Sequence, residues 1–239
     1  MTKAMVVFSG GQDSTTCLYW AKHHFDIVQA ITFDYGQKHK VEIEAAKEIA
    51  FLAGVEHEIV QVPDILVSSS PLTNKDNDLE TYSDYDQMDK IIGNRVELTF
   101  VPMRNPFFIT LAANRAVAKG IFDLVTGVCQ MDNANYPDCR EKFIDSQANT
   151  IRFALDHDFN IHTPLITLTK AETIHLAATF KGCFKALAYS HTCYAGQVPP
   201  CGKCHACVLR AHGFDEAKMF DPLILRFGGI SNNEVLKQQ

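Results

Sequence analysis

Phe8-Ser9-Gly10-Gly11-Gln12-Asp13-Ser14, near the start of the chain, is the stretch that decides the fold. An apolar run over residues 4–8 leads into it, which is typical of a buried strand. A helical pattern of apolar residues follows from Ser14. Because a strand, a turn of small residues and a helix together present backbone N–H groups to an anion, the stretch predicts a phosphate-binding loop.

The residue types in this loop fit a phosphate ligand. Gly10 and Gly11 let the backbone approach a phosphate without a Cβ in the way. Asp13 and Ser14 are good helix N-caps, and the Ser14 hydroxyl can donate to a phosphate oxygen. The loop lacks the lysine of the Walker A motif, which serves transfer of the terminal phosphoryl group. It therefore favours a site that holds phosphates for chemistry at the α-phosphorus, with a ligand-free turn as the alternative.

Composition narrows the class of protein. The chain has 239 residues, enough for one domain with a small appendage, and 22 basic against 28 acidic residues give a net charge of −6. This negative net charge argues against a protein whose main role is to bind nucleic acid or an anionic membrane. No apolar run reaches the length of a membrane span, and the N-terminal one enters the phosphate loop, unlike a signal peptide. We therefore expect a cytoplasmic protein.

Strand and helix patterns alternate along the rest of the chain, which predicts a doubly wound parallel α/β sheet with helices on both faces. The predicted strands cover residues 4–8, 27–33, 57–62, 98–103 and 123–128, with a short extended piece at 161–165. The predicted helices begin near Ser14, Val41, Pro106, Phe143 and Thr169, where Pro106 is an N1-type proline and Thr169 an N-cap.

Ligands of such sheets bind at the carboxyl ends of strands, where Asp34 and Arg104 are expected. Asp34, with Gln37, would lie beside the phosphate loop as a ligand contact, although Asp-Tyr-Gly is also an ordinary turn. Arg104 would bind phosphate, with a surface salt bridge as the alternative. The polar excursion over residues 68–97 fits a lid, an interface arm or a disordered loop.

The loop over residues 130–140 is the leading candidate for a substrate pocket. Its side chains can hold a polar planar ligand, because carboxylates accept from ring N–H groups, a tyrosine can stack, and an arginine can pair with a carboxylate. The expected substrate ligands are Asp132, Tyr136, Asp138 and Arg140.

Four of the eight cysteines fall close together, at Cys193, Cys201, Cys204 and Cys207. Four thiolates suit a closed tetrahedral zinc site, for which Gly196 and Gly202 supply tight turns. Iron–sulfur ligation and a reactive dithiol are the rival interpretations. His191 and His205 are expected beside the site or exposed to solvent.

Together these stretches resemble the 7-cyano-7-deazaguanine synthases, a family of PP-loop ATP pyrophosphatases. The resemblance covers nearly the whole chain. Besides the phosphate loop and the cysteines, it is carried by Phe33-Asp34-Tyr35-Gly36-Gln37, Val101-Pro102-Met103-Arg104-Asn105, Tyr136-Pro137-Asp138-Cys139-Arg140, Thr163-Pro164-Leu165, Lys170-Ala171-Glu172 and Cys207-Val208-Leu209-Arg210. Where members often carry Ser-Gly, this chain has Ala134-Asn135, and its excursion is longer and more acidic.

The resemblance implies an adenine-nucleotide-hydrolase-like fold and ATP-dependent conversion of 7-carboxy-7-deazaguanine and ammonia into the 7-cyano compound, in queuosine biosynthesis. The carboxylate and then the amide would be adenylated, with Mg²⁺ neutralising the phosphates. It implies small-molecule partners without nucleic acid or membrane, and a homodimer. Two rival functions are a PP-loop enzyme that thiolates tRNA, which needs a basic surface, and a nucleotide-binding regulator, which needs no second pocket.

The expected site residues follow from the loop and the resemblance. Asp13, Ser14 and Arg104 are expected to take part in the chemistry. ATP contacts are expected along the loop and the first turns of its helix, at Phe8, Ser9, Gly10, Gly11, Gln12, Asp13, Ser14, Thr15, Thr16, Cys17 and Leu18, and at Asp34. Residues 1–188 are predicted as the nucleotide-binding domain and residues 189–239 as a zinc-binding segment packed on it.

Overall fold

The structure, a computed structural model, describes residues 1–37, 40–62, 65–74, 76–132 and 134–228. Its five strands form one parallel sheet in the order β3-β2-β1-β4-β5. The strands are β1 (Lys3–Val7), β2 (Ile27–Asp34), β3 (Glu56–Gln61), β4 (Asp123–Thr126) and β5 (Asn160–His162).

Helices connect these strands and continue after β5. They are α1 (Gln12–His24), α2 (Val41–Ala53), α3 (Tyr85–Ile92), α4 (Arg104–Ala118), α5 (Glu141–Leu155), α6 (Lys170–Thr179), α7 (Cys183–Leu187), α8 (His205–Glu216) and α9 (Pro222–Arg226). Thr169 caps α6 as predicted, in a capping box with Glu172. Among the described residues, no helix combines the length and the apolar character that crossing a bilayer requires.

Each face of the sheet is covered by its own apolar core, which confirms the doubly wound prediction. Successive residues of a strand point to opposite faces, so Val6 belongs to one core and Met5 to the other. The core around Val6 packs α1, α2, α6 and α7, and it also contains Phe214 of α8. The core around Met5 packs α4 and α5.

The strand order reverses at β1, which pairs with β2 on one side and β4 on the other. Connections therefore leave β1 and β4 in opposite directions, and a crevice opens beyond their carboxyl ends. In open parallel sheets this switch point is the usual ligand site. The segment after β1 is the predicted phosphate loop.

The predicted strand over residues 98–103 is wrong. These residues form turns that lead into α4, and the positions beside β1 are occupied by β2 and β4. Pro102 has no N–H to give to a sheet, and Met103 has a φ of +64°, a left-handed conformation that ends an extended chain. The helix starts at Arg104, so Pro106 is its third residue rather than its first.

The excursion over residues 68–97 contains α3, which packs on the cysteine-bearing part of the chain. Met88 and Ile92 of α3 are fully buried against Val208 and Leu209 of α8. The Tyr82 N–H donates to the carbonyl of Lys203 at 2.8 Å. The described residues of the excursion therefore form an ordered element that packs on α8, here called the α3 brace, rather than a disordered loop.

The segment after residue 188 is joined to the preceding part of the chain through Phe214, which lies in the apolar core on one face of the sheet, and through Arg210, which donates to the Leu187 carbonyl at 3.2 Å. Arg210 of α8 is buried and makes a bidentate ion pair with Asp221, at 2.6 and 2.8 Å. It also donates to the Ser190 hydroxyl at 2.8 Å. Residues 229–239, the end of the predicted segment, lie outside the described residues, and the division at residue 188 stays a prediction.

Candidate active site

A cleft of about 340 Å³ opens at the carboxyl ends of β1 and β4. Several parts of the chain line it: the loop after β1, the end of β2 with Tyr35, Glu42 of α2, the start of α4 with Arg104, a set of residues between Thr126 and Arg140, Lys170 of α6, and the cysteine-bearing region from His191 to Arg210. The structure therefore brings the predicted phosphate loop and the predicted substrate loop to one cavity.

Hydrogen bonds among the serines hold the phosphate loop in shape. The Ser14 hydroxyl accepts from the Ser9 N–H at 3.2 Å and donates to the Gly11 carbonyl at the same distance. The Ser9 hydroxyl accepts from the Gly11 N–H at 3.3 Å. The helix begins at Gln12 with Gly11 as its N-cap, two or three residues before the predicted caps.

The close approach at Gly10 is to a neighbouring helix. Gly10 has a φ of +82°, and a Cβ there would lie 2.6 Å from the Ala46 nitrogen and the Glu42 oxygen of α2. Gly10 is thus required by packing, and it does not line the cleft, whereas Gly11 does.

Five of the expected ATP contacts also lie away from the cleft. Thr15 and Thr16 are buried, and their hydroxyls donate to the helix carbonyls of Gly11 and Gln12. Cys17 and Leu18 are fully buried in the core. Asp34 caps its own turn by accepting from the Gly36 N–H at 3.3 Å and pairs with Lys40 at 3.6 Å. The first four are consecutive residues that point in different directions around α1, and all are buried because the protein encloses this part of the helix on most of its sides.

Lys170 is the central charge of the cleft, and its role was missed. Its ammonium group lies 3.0 and 2.9 Å from the two carboxylate oxygens of Asp13 and 3.1 Å from Asp132. Burial alone would lower the pKa of Lys170, but these carboxylates outweigh it and raise the pKa above its ordinary value. Lys170 thus stays cationic and links the phosphate loop to the substrate loop.

Two glycines make room for this arrangement. A Cβ on Gly213 of α8 would lie 2.8 Å from Lys170 Cβ, so only glycine lets the lysine stem pass α8. A Cβ on Gly127, just after β4, would lie 3.1 Å from the Asp13 carbonyl carbon and the Ser14 nitrogen. Neither position carries a local signal in the sequence, because the clash is with a distant segment.

Arg104 lines the cleft among three phenols. It hydrogen-bonds the hydroxyl of Tyr35, and burial raises the pKa of that tyrosine to about 12. Tyr136 and Tyr194, which hydrogen-bond each other, also lie within the electrostatic reach of Arg104. The guanidinium keeps its charge at any physiological pH, so it gives this side of the cleft a fixed cation.

The predicted substrate loop divides into lining and supporting residues. Asp132, Tyr136 and Arg140 line the cleft, and the Tyr136 hydroxyl is 2.5 Å from the Thr99 hydroxyl. Asp138 does not line it. Its carboxylate is buried and accepts from the Asn105 N–H at 3.4 Å, at the start of α4, where a negative charge is favourable. Asp138 therefore supports α4 behind the cleft.

Asn135 occupies a conformation that explains the departure from the family pattern. Its φ is +56°, a region where the Gly of a Ser-Gly pair would be unstrained. Its side-chain amide donates to the carbonyls of Gly93 and Arg95, both at 3.0 Å. The asparagine thereby ties the substrate loop to the end of the excursion.

The four predicted metal ligands converge. Cys193, Cys201, Cys204 and Cys207 are buried, and their sulfurs all lie within 4.8 Å of one another. Tetrahedral zinc with Zn–S bonds of about 2.3 Å would separate its sulfurs by about 3.8 Å, and Cys201 and Cys207 are 3.9 Å apart. The Cys201 and Cys204 N–H groups each donate to a cluster sulfur at 3.4 Å. The cluster could bind a metal.

The cluster also forms one wall of the cleft. Thr192 and Tyr194, which flank Cys193, and His205, which follows Cys204, all line the cavity. The His191 N–H donates to the Gly10 carbonyl at 2.9 Å, so this wall contacts the phosphate loop. His191 and His205 are both buried rather than exposed. Burial and the nearby Lys170 ammonium lower the pKa of His205 to about 4.

Several polar atoms that line the cleft are buried without a hydrogen-bond partner among the described residues. They are Gln12 Nε2, Thr192 Oγ1 and both ring nitrogens of His205. Buried polar groups are normally paired, so such atoms at a cavity indicate contacts that a ligand would make. Cys139 also lines the cleft, but burial and Asp138 raise the pKa of its thiol to about 12, which keeps it protonated.

Comparison with solved structures gives distant likenesses. A chain from Methanocaldococcus jannaschii, described as a predicted subunit of a tRNA methyltransferase, is 17% identical with a TM-score of 0.46, covering 74% of this chain and 75% of that one. A 4-thiouridine synthetase in complex with RNA and ATP is 15% identical with a TM-score of 0.44, covering 95% and 53%.

Comparison with sequences is much more specific. A 7-cyano-7-deazaguanine synthase of Laribacter hongkongensis is 48% identical over 228 residues, 95% of this chain and 96% of the relative. The enzymes of that name from Chromobacterium violaceum and Gloeobacter violaceus are 47% and 46% identical, over 94% and 93% of this chain and 94% and 96% of theirs. The model of the family described as queuosine biosynthesis protein QueC matches residues 3–218. The chain therefore belongs to the QueC family of queuosine biosynthesis enzymes.

Proposed function

We propose that this protein is an ATP-dependent ligase that converts 7-carboxy-7-deazaguanine and ammonia into 7-cyano-7-deazaguanine. The observation that carries the proposal is Lys170, which bridges Asp13 of the phosphate loop and Asp132 of the substrate loop within one cleft. A nucleotide sensor needs no such second pocket. Relatives over nearly the whole chain bear the name of this enzyme.

The reaction uses the same site twice. A carboxylate oxygen attacks the α-phosphorus of ATP, and pyrophosphate leaves. Ammonia then adds to the acyl carbon and loses a proton, and AMP departs with that oxygen to leave the amide. The amide oxygen attacks the α-phosphorus of a second ATP, again releasing pyrophosphate. Loss of AMP and protons from the adenylated amide gives the nitrile.

We assign each part of the cleft to a part of the substrates from its charges and its hydrogen-bonding groups. Ser9, Gly11, Gln12 and Ser14 would hold the phosphates through backbone N–H groups and side-chain donors at the start of α1. Lys170 would stabilise the negative charge that develops when pyrophosphate leaves, because a buried fixed cation needs no reorganisation during the reaction. Asp13 would hold Lys170 in place.

The planar ring would lie at the opposite end of the cleft. Tyr136 offers a ring for stacking and a hydroxyl for hydrogen bonding, and Asp132 can accept from ring N–H groups. Arg140 would pair with the substrate carboxylate, and Arg104 would assist in holding the phosphates. Asp138 would act only by supporting α4.

Two metals fit the residues present. Asp13 and Asp132 offer carboxylate oxygens, the ligand type that Mg²⁺ prefers beside ATP phosphates, and the ion would neutralise phosphate charge. Four thiolates without a carboxylate or an open position suit structural zinc, which would fix the wall formed by Cys193–Cys207.

We further propose that the protein is a cytoplasmic homodimer that binds small molecules and no nucleic acid. We also propose that the boundary between the nucleotide-binding domain and the zinc-binding segment lies at residue 188.

Pyrophosphate release tests the proposal. The purified protein should release pyrophosphate from ATP only when 7-carboxy-7-deazaguanine is present, and ammonium should be needed for AMP release and nitrile formation. An ¹⁸O label in the substrate carboxylate should appear in AMP. Pyrophosphate release that ignores the carboxylate, or that requires tRNA, would contradict the proposal, and a coloured iron–sulfur protein would favour the tRNA-thiolating alternative.

A further inference from the structure

His205 occupies an unusual position for a histidine. It is the first residue of α8, its side chain is 3% exposed, and it lines the cleft. Neither ring nitrogen has a hydrogen-bond partner in the part of the chain that the structure describes. It is also not one of the cluster ligands, which are the four sulfurs.

The other residues of the cleft that carry unpartnered polar atoms lie at the phosphate loop. Gln12 belongs to the phosphate loop, and Thr192 follows His191, whose backbone N–H donates to the Gly10 carbonyl of the same loop at 2.9 Å. His205 lies instead within the electrostatic reach of Lys170, whose ammonium group pairs with Asp13 and Asp132. It therefore lines the cleft near the lysine that joins the phosphate loop to the substrate loop.

We infer that His205 binds the reacting acyl group of the substrate, first as a carboxylate and later as an amide. This inference rests on the proposed function. An imidazole carries one donor and one acceptor nitrogen, and an orphaned pair of such atoms is satisfied by a ligand that needs both. A carboxylate accepts a hydrogen bond, whereas an amide also donates one, so the same ring can serve both stages of the reaction.

The cysteine cluster explains why this ring is well placed. Cys204 precedes His205 and Cys207 follows two residues later, so two sulfurs of the cluster fix the first turn of α8. The brace from α3 packs on the next turn of α8, at Val208 and Leu209. A side chain held in this way loses little freedom when it binds a ligand.

Equilibrium binding with α,β-methylene-ATP, which cannot release pyrophosphate, tests the inference. In its presence, His205→Phe should weaken binding of the carboxylate and of the amide by about tenfold or more, because each loses a buried partner. The affinity for α,β-methylene-ATP alone and the metal content should stay at wild-type values. His205→Gln, which keeps a donor and an acceptor, should recover most of the affinity.

His212 provides the matched control. It lies on the same helix, where its ring stacks on Tyr85 with the two ring centroids 3.6 Å apart, and it does not line the cleft. His212→Phe should bind all three ligands like the wild type. Unchanged carboxylate and amide binding in His205→Phe, or a parallel loss of metal and of α,β-methylene-ATP binding, would overturn the inference. If the wild type itself failed to bind the carboxylate, the proposed function would be refuted before any variant was compared.

Discussion

The two walls of the cleft are built in different ways. The loop wall, residues 8–14, is contiguous in sequence, and its serine hydrogen bonds are internal to it. The far wall, residues 132–140, 191–194 and 205–210, is assembled from segments that only the fold brings together. Its ties run through the cysteine cluster, the α3 brace and the Asn135 amide. We expect damage to the cluster to affect the far wall more than the loop wall.

Removal of the cluster metal should have the largest effect. Cys201→Ser, or chelation of the native protein, should abolish nitrile formation and lower the melting temperature, because four converging thiolates without a metal no longer hold residues 193–207 together. Binding of the carboxylate should be lost, while binding of α,β-methylene-ATP should weaken much less. Metal analysis, calorimetry and equilibrium binding of the carboxylate and of α,β-methylene-ATP measure these changes.

Metal re-addition is the control for that experiment. Zinc returned to the chelated wild type should restore carboxylate binding and activity, whereas Cys201→Ser should recover neither. A metal-free protein that bound the carboxylate as tightly as the loaded one would show that the far wall stands without the cluster. Equal losses for both ligands would show that the two walls are not independent.

Lys170→Met should have the next largest effect, since Lys170 is the one described residue that contacts acidic groups of both loops in the cleft. Without its charge, Asp13 and Asp132 are left unpaired, and the departing pyrophosphate loses a fixed cation. We expect kcat to fall by about 10²- to 10³-fold, with a smaller change in the affinity for α,β-methylene-ATP. Steady-state kinetics and binding check this.

Lys181→Met, at an exposed lysine outside the cleft, is the matched control and should behave like the wild type. A Lys170→Met enzyme with unchanged kcat would exclude an electrostatic role. If it instead lost only thermal stability, Lys170 would serve packing between α6 and α8.

The contrast between the walls also explains what sequence analysis could predict. The phosphate loop and most strands were predicted because their signals are local: an apolar run, small residues and a capping pattern such as Thr169 with Glu172. The role of Lys170 was missed because its partner Asp13 lies 157 residues away. No local pattern says which way the first side chain of α6 will point.

The differences between the expected and the observed placements have the same origin. Asp138 has the composition of a ligand, but the fold turns its carboxylate toward Asn105 of α4. Thr15 and Thr16 follow the phosphate loop directly, but helical geometry turns them into the core. The apolar residues of 98–103 have strand character, but no free edge beside β1 is left for them. In each case tertiary packing decided the outcome.

Gly213→Ala should have the smallest effect and gives the sharpest test of how the walls are coupled. In an open helix, alanine is favoured over glycine by about 1 kcal/mol. Here a Cβ would lie 2.8 Å from Lys170 Cβ, so the lysine stem must shift. We therefore expect a lower melting temperature and a kcat reduced by about tenfold, in line with a small displacement of a preorganised cation.

The double variant decides whether that effect acts through Lys170. Lys170→Gly removes both the Cβ and the Cγ that collide with the new methyl group, so adding Gly213→Ala to it should no longer destabilise the protein and should raise its melting temperature through helix propensity. Residues in contact are expected to be non-additive in this way. Additive losses would mean that the new methyl group is opposed by another neighbour, such as Ile174 Cδ1, which would lie 3.3 Å from it. They would also mean that α8 does not position Lys170.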